Sequence, residues 1–306
     1  MSATTSTDAV SHTPGEALAT ARTSGRRRLF DTAFRSLLIA SVGLALLTLF
    51  ALLIDTFLTG QPRLNTDLVN NMPSSRPARA GIQSAIFGSL WCVGLSGLVS
   101  LPIGVGTAIY LEEYAPRGKW YVRLIELNIQ NLAGVPSIVF GILGLAFIAR
   151  SPLKWGFTVG SGAMVLTILV LPIVIISSRE ALRAVPPSLR DGSLALGATQ
   201  WQTIWHQMLP SAVPGIATGS ILAVSRALGE SAPLLLLGAL TFVTFNPTGL
   251  DSGYTVLPLL IFKYASDAKA EFHTVAAAAI IVLLVMLLIL NTTAIIVRNR
   301  FQRRAR

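Results

Sequence analysis

Six long apolar runs, separated by more polar stretches, make up half of this chain. Runs with little or no charge cover 36–54, 81–111, 124–149, 158–177, 212–243 and 273–297. About 20 apolar residues cross the hydrocarbon core as a helix. Each run therefore predicts one span, and the chain an all-α, polytopic membrane protein with six transmembrane helices. The second run is long and contains Pro102, which predicts a kink or an extension past the membrane. The third carries Glu126 near its start and Asn128, Gln130 and Asn131 within it. Those amides are expected in hydrogen bonds between helices. The last is interrupted only by Asn291-Thr292-Thr293.

The polar stretch between the fourth and fifth runs, 179–211, has a pattern of its own. Pro186-Pro187 stops a continuing helix. Ser188 then suits the N-cap of a short helix that ends before Gly197, a residue fit for the C′ position. Thr199 with Gln202 has the form of a capping box. Trp201, Ile204, Trp205 and Met208 follow at the spacing of one apolar helical face, and Leu209-Pro210 is expected to end that helix. The reading is two short helices around a glycine. By itself the second could be an interfacial helix with its tryptophans at the headgroups.

Composition supports the membrane reading. Charged residues make up 12% of the chain against about 25% in a typical soluble domain. The net charge of +10 then reads as positive loop bias rather than as a nucleic-acid surface. Arginine and lysine concentrate in the N-terminal tail, around 117–123, around 179–190 and after 298. With six spans this places both termini in the cytoplasm. The Ser, Thr, Ala and Gly-rich start predicts a disordered basic tail over 1–35. The first span, 36–58, is expected to be retained, because the layout of a signal peptide is missing. A second basic tail covers 298–306. One cysteine, Cys92, excludes an intrachain disulfide. His12, His206 and His273 lack metal-ligand spacing, so no metal site is expected.

Arg226 and Glu230 stand out within the fifth run, where 213–225 and 231–250 carry no charge. Ionisable residues at membrane depth are costly and usually face a protein interior or a water-filled path. On a helix, i and i+4 share a face and can pair. The pair reads either as a structural ion pair holding helices together or as a charged element of a transport path. Pro233 frees a backbone carbonyl and is expected to bend the helix around such a path. No Gly-x4-Gly-Lys-[Ser/Thr] P-loop occurs, so ATP is not expected to bind this chain by that route.

The 179–211 loop resembles the signature of binding-protein-dependent ABC importer permeases: Glu-Ala-Ala, three residues, Gly, nine residues, Ile, one residue, Leu-Pro. With Gly197 on its glycine, Leu209-Pro210 falls on the Leu-Pro without a gap. Asp191, Gly192 and Ser193 take the Glu-Ala-Ala positions, and Gln207 takes the Ile position. The resemblance implies that Asp191–Trp205 docks on an ATPase subunit. Gly134-Val135-Pro136-Ser137 is similar to the GxPS motif of phosphate-specific permeases. Ser225-Arg226-Ala227-Leu228-Gly229-Glu230-Ser231-Ala232-Pro233 is similar to their span-five motif. The run from Asn291 to Phe301, with Val256-Leu257-Pro258, resembles the A-type subunit of that system more than the C-type.

The resemblance covers roughly 80–301. It implies a type I ABC importer permease fold, with the permease domain over 80–297, in the bacterial cytoplasmic membrane. It implies phosphate as cargo. It also implies a homologous C-type permease, an ATPase subunit dimer and an extracytoplasmic phosphate-binding protein as partners, with lipid around it and no nucleic acid. ATP would be used by the partner ATPase, with no cofactor on this chain. Arginine suits an oxyanion through its donor fork and permanent charge. Arg226 and Glu230, with Ser225, Ser231, Gly134, Pro136 and Ser137, are the candidate substrate path. Gly134–Ser137 reads equally as plain helix packing. Two other functions remain open: a permease of this architecture for another oxyanion such as sulfate or molybdate, and an intramembrane enzyme using Glu230 as acid or base. The latter lacks a second carboxylate, a Ser-His pair or a metal cluster.

Overall fold

The computed structural model describes residues 25–116, 118–239 and 242–304. Among these residues the regular structure is helical. The chain divides into two compact units, Met1–Asp55 and Thr56–Arg306.

The first unit holds most of helix α1, Gly25–Gly60. Its side chains are exposed all round, with Leu37, Ile39, Leu44, Leu47 and Phe50 pointing in different directions. A helix apolar on every face is at home in lipid, because its backbone satisfies itself. The disordered tail expected up to 35 is corrected here: 25–35 is helical. Arg26, Arg27, Arg28 and Leu29 are good helix formers joined directly to the apolar run. The rest of that tail, 1–24, lies outside the described residues.

The second unit begins with a short helix α2, Thr66–Asn70, capped by the Asn65 side chain. Helix α3, Gln83–Ile109, runs unbroken through Pro102 and continues as a π-helical turn, Tyr110–Tyr114. Along α3 the buried residues Ser84, Gly88, Cys92, Ser96, Ser100, Gly104 and Ala108 recur at every fourth position. Such a small-residue stripe lets neighbouring helices approach closely, which is how helices associate where lipid removes the hydrophobic drive. Helix α4, Trp120–Ala133, and helix α5, Ser137–Leu143 with its π-helical continuation Gly144–Arg150, form a pair bent by 105°. Helix α6 is Val159–Arg183, with Thr158 as N-cap.

Helices α7, Pro187–Ala195, and α8, Gln200–Thr203, form the polar loop. A π-helical turn, Ile204–Met208, leads without a stop into α9, Leu209–Gly229. Beyond it lie α10, Ala232–Leu236, α11, Leu257–Ala265, and the final helix α12, Ala270–Arg304.

The core sits where α3, α6 and α9 pack. Cys92, Val93, Leu166, Leu169, Val170, Ala223, Ala227 and Leu228 are buried together. The segment after α10 is folded over it, with Tyr254 and Val256 in the same cluster. Its polar groups are tied to α3: Ser84 Oγ donates to Val243 O at 3.0 Å, and Leu257 N–H donates to Ser89 Oγ at 2.9 Å. Among the described residues five helices are long and apolar enough to cross a membrane, or six spans if the bent α4–α5 pair counts as one.

Two sequence expectations change. The run 212–243 is not one helix, since α9 ends at Gly229. And Leu209-Pro210 does not end a helix. The preceding turn is π-helical, so its hydrogen bonds are already displaced where the proline lacks an N–H.

Candidate functional site

Both motif-bearing spans are broken, each by a proline acting four residues upstream. A proline ring clashes with the carbonyl of residue i−4 and cannot donate to it. For Pro233 that residue is Gly229, where α9 ends. For Pro136 it is Leu132, and α4 ends one residue on, at Ala133, with Gly134 as its C-cap. In each case a new helix starts just beyond, α5 at Ser137 and α10 at Ala232.

The two restarted helices pack against each other. The junction is Gly141 on Pro233, so close that a Cβ on Gly141 would sit 2.7 Å from Pro233 Cα and 2.8 Å from Pro233 O. Only glycine permits that approach. Irregular backbone at membrane depth is tolerated where it is buried in protein or lines a water-filled path. The structure therefore joins the two motifs downstream of their breaks. Gly134 and Pro136 are exposed and Ser137 is part-buried.

Arg226 occupies the last turn of α9, where unpaired carbonyls favour a cation. Its Nε donates to Glu230 Oε1 at 3.2 Å. The pair is not the helix-face pair that the spacing predicts, because Glu230 lies past the helix end with extended backbone, φ −75° and ψ 124°. The Arg226 side chain is 52% exposed and that of Glu230 15%. Among the described residues this ion pair is local to one helix terminus. Ser225, one residue back, faces the final helix: its Oγ donates to Ile221 O at 2.7 Å and meets Asn291 Oδ1. Ser231 is the N-cap residue of α10, and its carbonyl accepts from Leu235 N–H at 3.0 Å.

The amides of α4 do not bridge helices as expected. Asn128, Gln130 and Asn131 are exposed, and Asn128 Nδ2 donates to Leu124 O in its own helix at 2.8 Å.

In the loop, Gly197 takes φ +86° and the C′ position after α7. Ala198 N–H donates to Ser193 O at 3.2 Å and Gly197 N–H to Leu194 O at 3.0 Å, the two bonds of a Schellman closure. Thr199 and Gln202 form the capping box. The N-cap of α7 is Pro186 rather than Ser188, since Pro187 fits the first helical position, where no N–H is needed. Asp191 and Gly192 are exposed, and Ser193 Oγ meets Thr203 Oγ1 at 3.0 Å. The apolar face divides in two. Ile204 and Met208 are buried, whereas Trp201 and Trp205 are exposed and stacked, with ring centroids 5.4 Å apart. Gln207 is exposed, and Leu209 packs beside the buried Leu182, Ala212 and Ile216 while Pro210 is part-buried.

Sequence reading missed an ion cluster at the base of the loop. Arg179, 7% exposed, meets Glu112 Oε1 at 2.7 Å and Glu126 Oε1 at 2.5 Å. Arg183 reaches Glu112 Oε1 at 2.9 Å, and Arg190 Nη1 lies 3.3 Å from Glu113 Oε2. Its sequence signals were Glu126 within an apolar run and the Glu112-Glu113 pair at the end of another.

Long apolar helices, two of them interrupted and one bearing an arginine beside its break, define a polytopic membrane protein. Residues 100–306 match the family model "Binding-protein-dependent transport system inner membrane component", and the chain belongs to that family. It is 35% identical over 227 residues to "Probable ABC transporter permease protein YqgI" of Bacillus subtilis, covering 73% of this chain and 76% of that one. It is 32% identical over 237 residues to "Phosphate transport system permease protein PstA" of Haemophilus influenzae, covering 77% and 82%. A solved bacterial alginate ABC transporter chain shares the fold at TM-score 0.67 and 19% identity, over 90% of this chain and 97% of that one. The fold is that of type I ABC importer permeases.

Proposed function

We propose that this chain is a permease subunit of an ATP-driven importer that carries inorganic phosphate across the bacterial cytoplasmic membrane. The observation that supports it most is Arg226: a half-exposed guanidinium on the last turn of a broken span, in a chain similar to phosphate permeases. A guanidinium offers a phosphate oxygen both charge and paired donors. Glu230 partly neutralises it, which favours passage over tight capture. The substrate path also includes Ser225, Ser231, Gly134, Pro136 and Ser137. In cells lacking this chain, phosphate uptake should fall and return on its restoration, while sulfate uptake stays unchanged. A deficit in sulfate and not in phosphate would favour the permease for another oxyanion.

The partners in this reading are a C-type permease, an ATPase dimer that binds the ATP, and an extracytoplasmic phosphate-binding protein. The loop suits the ATPase contact. Leu196 is 91% exposed, and the stacked Trp201 and Trp205 add an apolar surface of the kind that marks a protein contact. Asp191, Gly192, Ser193 and Gly197 belong to that surface, with Leu209 and Pro210 anchoring it to α9. The basic loops place both termini in the cytoplasm. Tags at 10 and 185 should be reachable only from the cytoplasmic side, and tags at 70 and 260 only from outside. Labelling of 185 from outside would sink this topology.

A further inference from the structure

Besides its own continuation into α9, the loop is tied by polar contacts to the π-helical turn Tyr110–Tyr114 at the end of α3. Glu113 bears on both halves of the loop. Its carboxylate faces Arg190 of α7, and its backbone carbonyl accepts from Gln200 Nε2 at the start of α8. The neighbouring Glu112 joins the same turn to Arg179 and Arg183 of α6, and Arg179 in turn holds Glu126 of α4. Helices α6 and α7 therefore meet the two adjacent carboxylates, α8 joins through the Glu113 carbonyl and α4 through Arg179.

The two carboxylates are held differently. Glu112 accepts a hydrogen bond from Arg179 Nε. Glu113 is buried, with 4% of its side chain exposed, yet among the described residues its Oε2 accepts no hydrogen bond and has only the 3.3 Å charge contact. A buried ion cluster is weak as a source of stability, because desolvation offsets the attraction, but it enforces one geometry. α-Helices carry π-turns frequently at functional sites.

What lies at the middle of α3 gives this hub a consequence. Gly97 of α3 rests on Val224 of α9, its Cβ position 3.6 Å from Val224 Cγ2. Val224 is two residues before Arg226. Glu113 and Gly97 are about 24 Å apart along the helix at 1.5 Å per residue. One helix, α3, thus runs from the π-turn to the turn of α9 that precedes Arg226.

We infer that Glu113 and Arg190 are positioning residues that couple the loop, through the π-turn and α3, to the broken end of α9. The inference rests on the loop being the ATPase contact. The test uses the whole transporter, reconstituted with its ATPase and binding protein, with Glu113→Gln, Arg190→Gln and the swap Glu113→Arg/Arg190→Glu. Three quantities are read: assembled complex, ATP hydrolysis and phosphate transported per ATP. The single variants should assemble at parental levels and hydrolyse ATP within about twofold of parental, but carry about tenfold less phosphate per ATP. The swap should recover most of that ratio. A ratio near parental in the single variants, loss of assembled complex in them, or an assembled swap without recovery each overturns the inference. A cross-link from Leu196→Cys to the ATPase in the otherwise parental complex separates the two readings. Its absence overturns the loop contact and this inference with it; its presence beside an unchanged Glu113→Gln ratio overturns this inference alone.

Discussion

Arg226→Gln should lower phosphate uptake by about 100-fold or more, the scale on which losing one preorganised charge slows a process that depends on it. The assembled complex should remain. The pair with Glu230 spans 3.2 Å, but the guanidinium is half exposed, and pairs of that kind contribute about 0.2–1 kcal/mol to stability. Removing the arginine leaves the Glu230 carboxylate, 15% exposed, without its partner, and the double variant removes that charge as well. The double variant Arg226→Gln/Glu230→Gln discriminates further. If the pair only held structure, neutralising both partners would restore folding and uptake together. If Arg226 meets the anion, the double variant assembles and still fails to transport. Uptake near the parental rate in the double variant would refute the path role of Arg226.

The second large effect is expected away from any charge. Gly141→Ala puts a methyl 2.7 Å from Pro233 Cα and 2.8 Å from Pro233 O. Both are backbone atoms and cannot rotate aside, so α5 and α10 must separate. Overpacking of this kind costs about 1–3 kcal/mol, and a displacement approaching 1 Å beside a working site can cost about 100-fold in rate. Gly134→Ala is the control. Its methyl would have Asn131 O 3.5 Å away, an ordinary contact, and φ there is −92°. Uptake should fall steeply in Gly141→Ala and clearly less in Gly134→Ala, where the methyl meets no crowded backbone. Equal losses in the two variants would show that cargo or a partner approaches the backbone at Gly134, and that the Gly141 junction is not what matters.

The contrast between these two glycines illustrates how far the site could be read in advance. Gly134-Val135-Pro136-Ser137 was legible as a break because a proline acts on its own helix, through the carbonyl four residues back. Gly141 was silent, because its importance comes from Pro233, a residue on another helix. The same distinction holds for charge. Arg226 and Glu230 are neighbours in sequence and stand out against an uncharged background. Arg179 looked like one more loop arginine, since its partners Glu112 and Glu126 lie 67 and 53 residues away.

Apolar run length, the placement of Pro136, Pro186, Pro187 and Pro233, the glycine at 197 and the capping box at 199–202 are properties of local chain, and local physics acts on them wherever the chain goes. These settled by themselves that the protein is helical and membrane-spanning, where its loop helices lie and which charges sit among apolar residues. Tertiary structure decided the rest. The 105° bend between α4 and α5 is a direction, which a proline permits but only packing against α10 selects. The small-residue stripe of α3 gains meaning from the helices laid along it. The ion cluster exists because the end of α6 lies beside the π-turn after α3 and the middle of α4, bringing into contact charges that no sequence spacing relates.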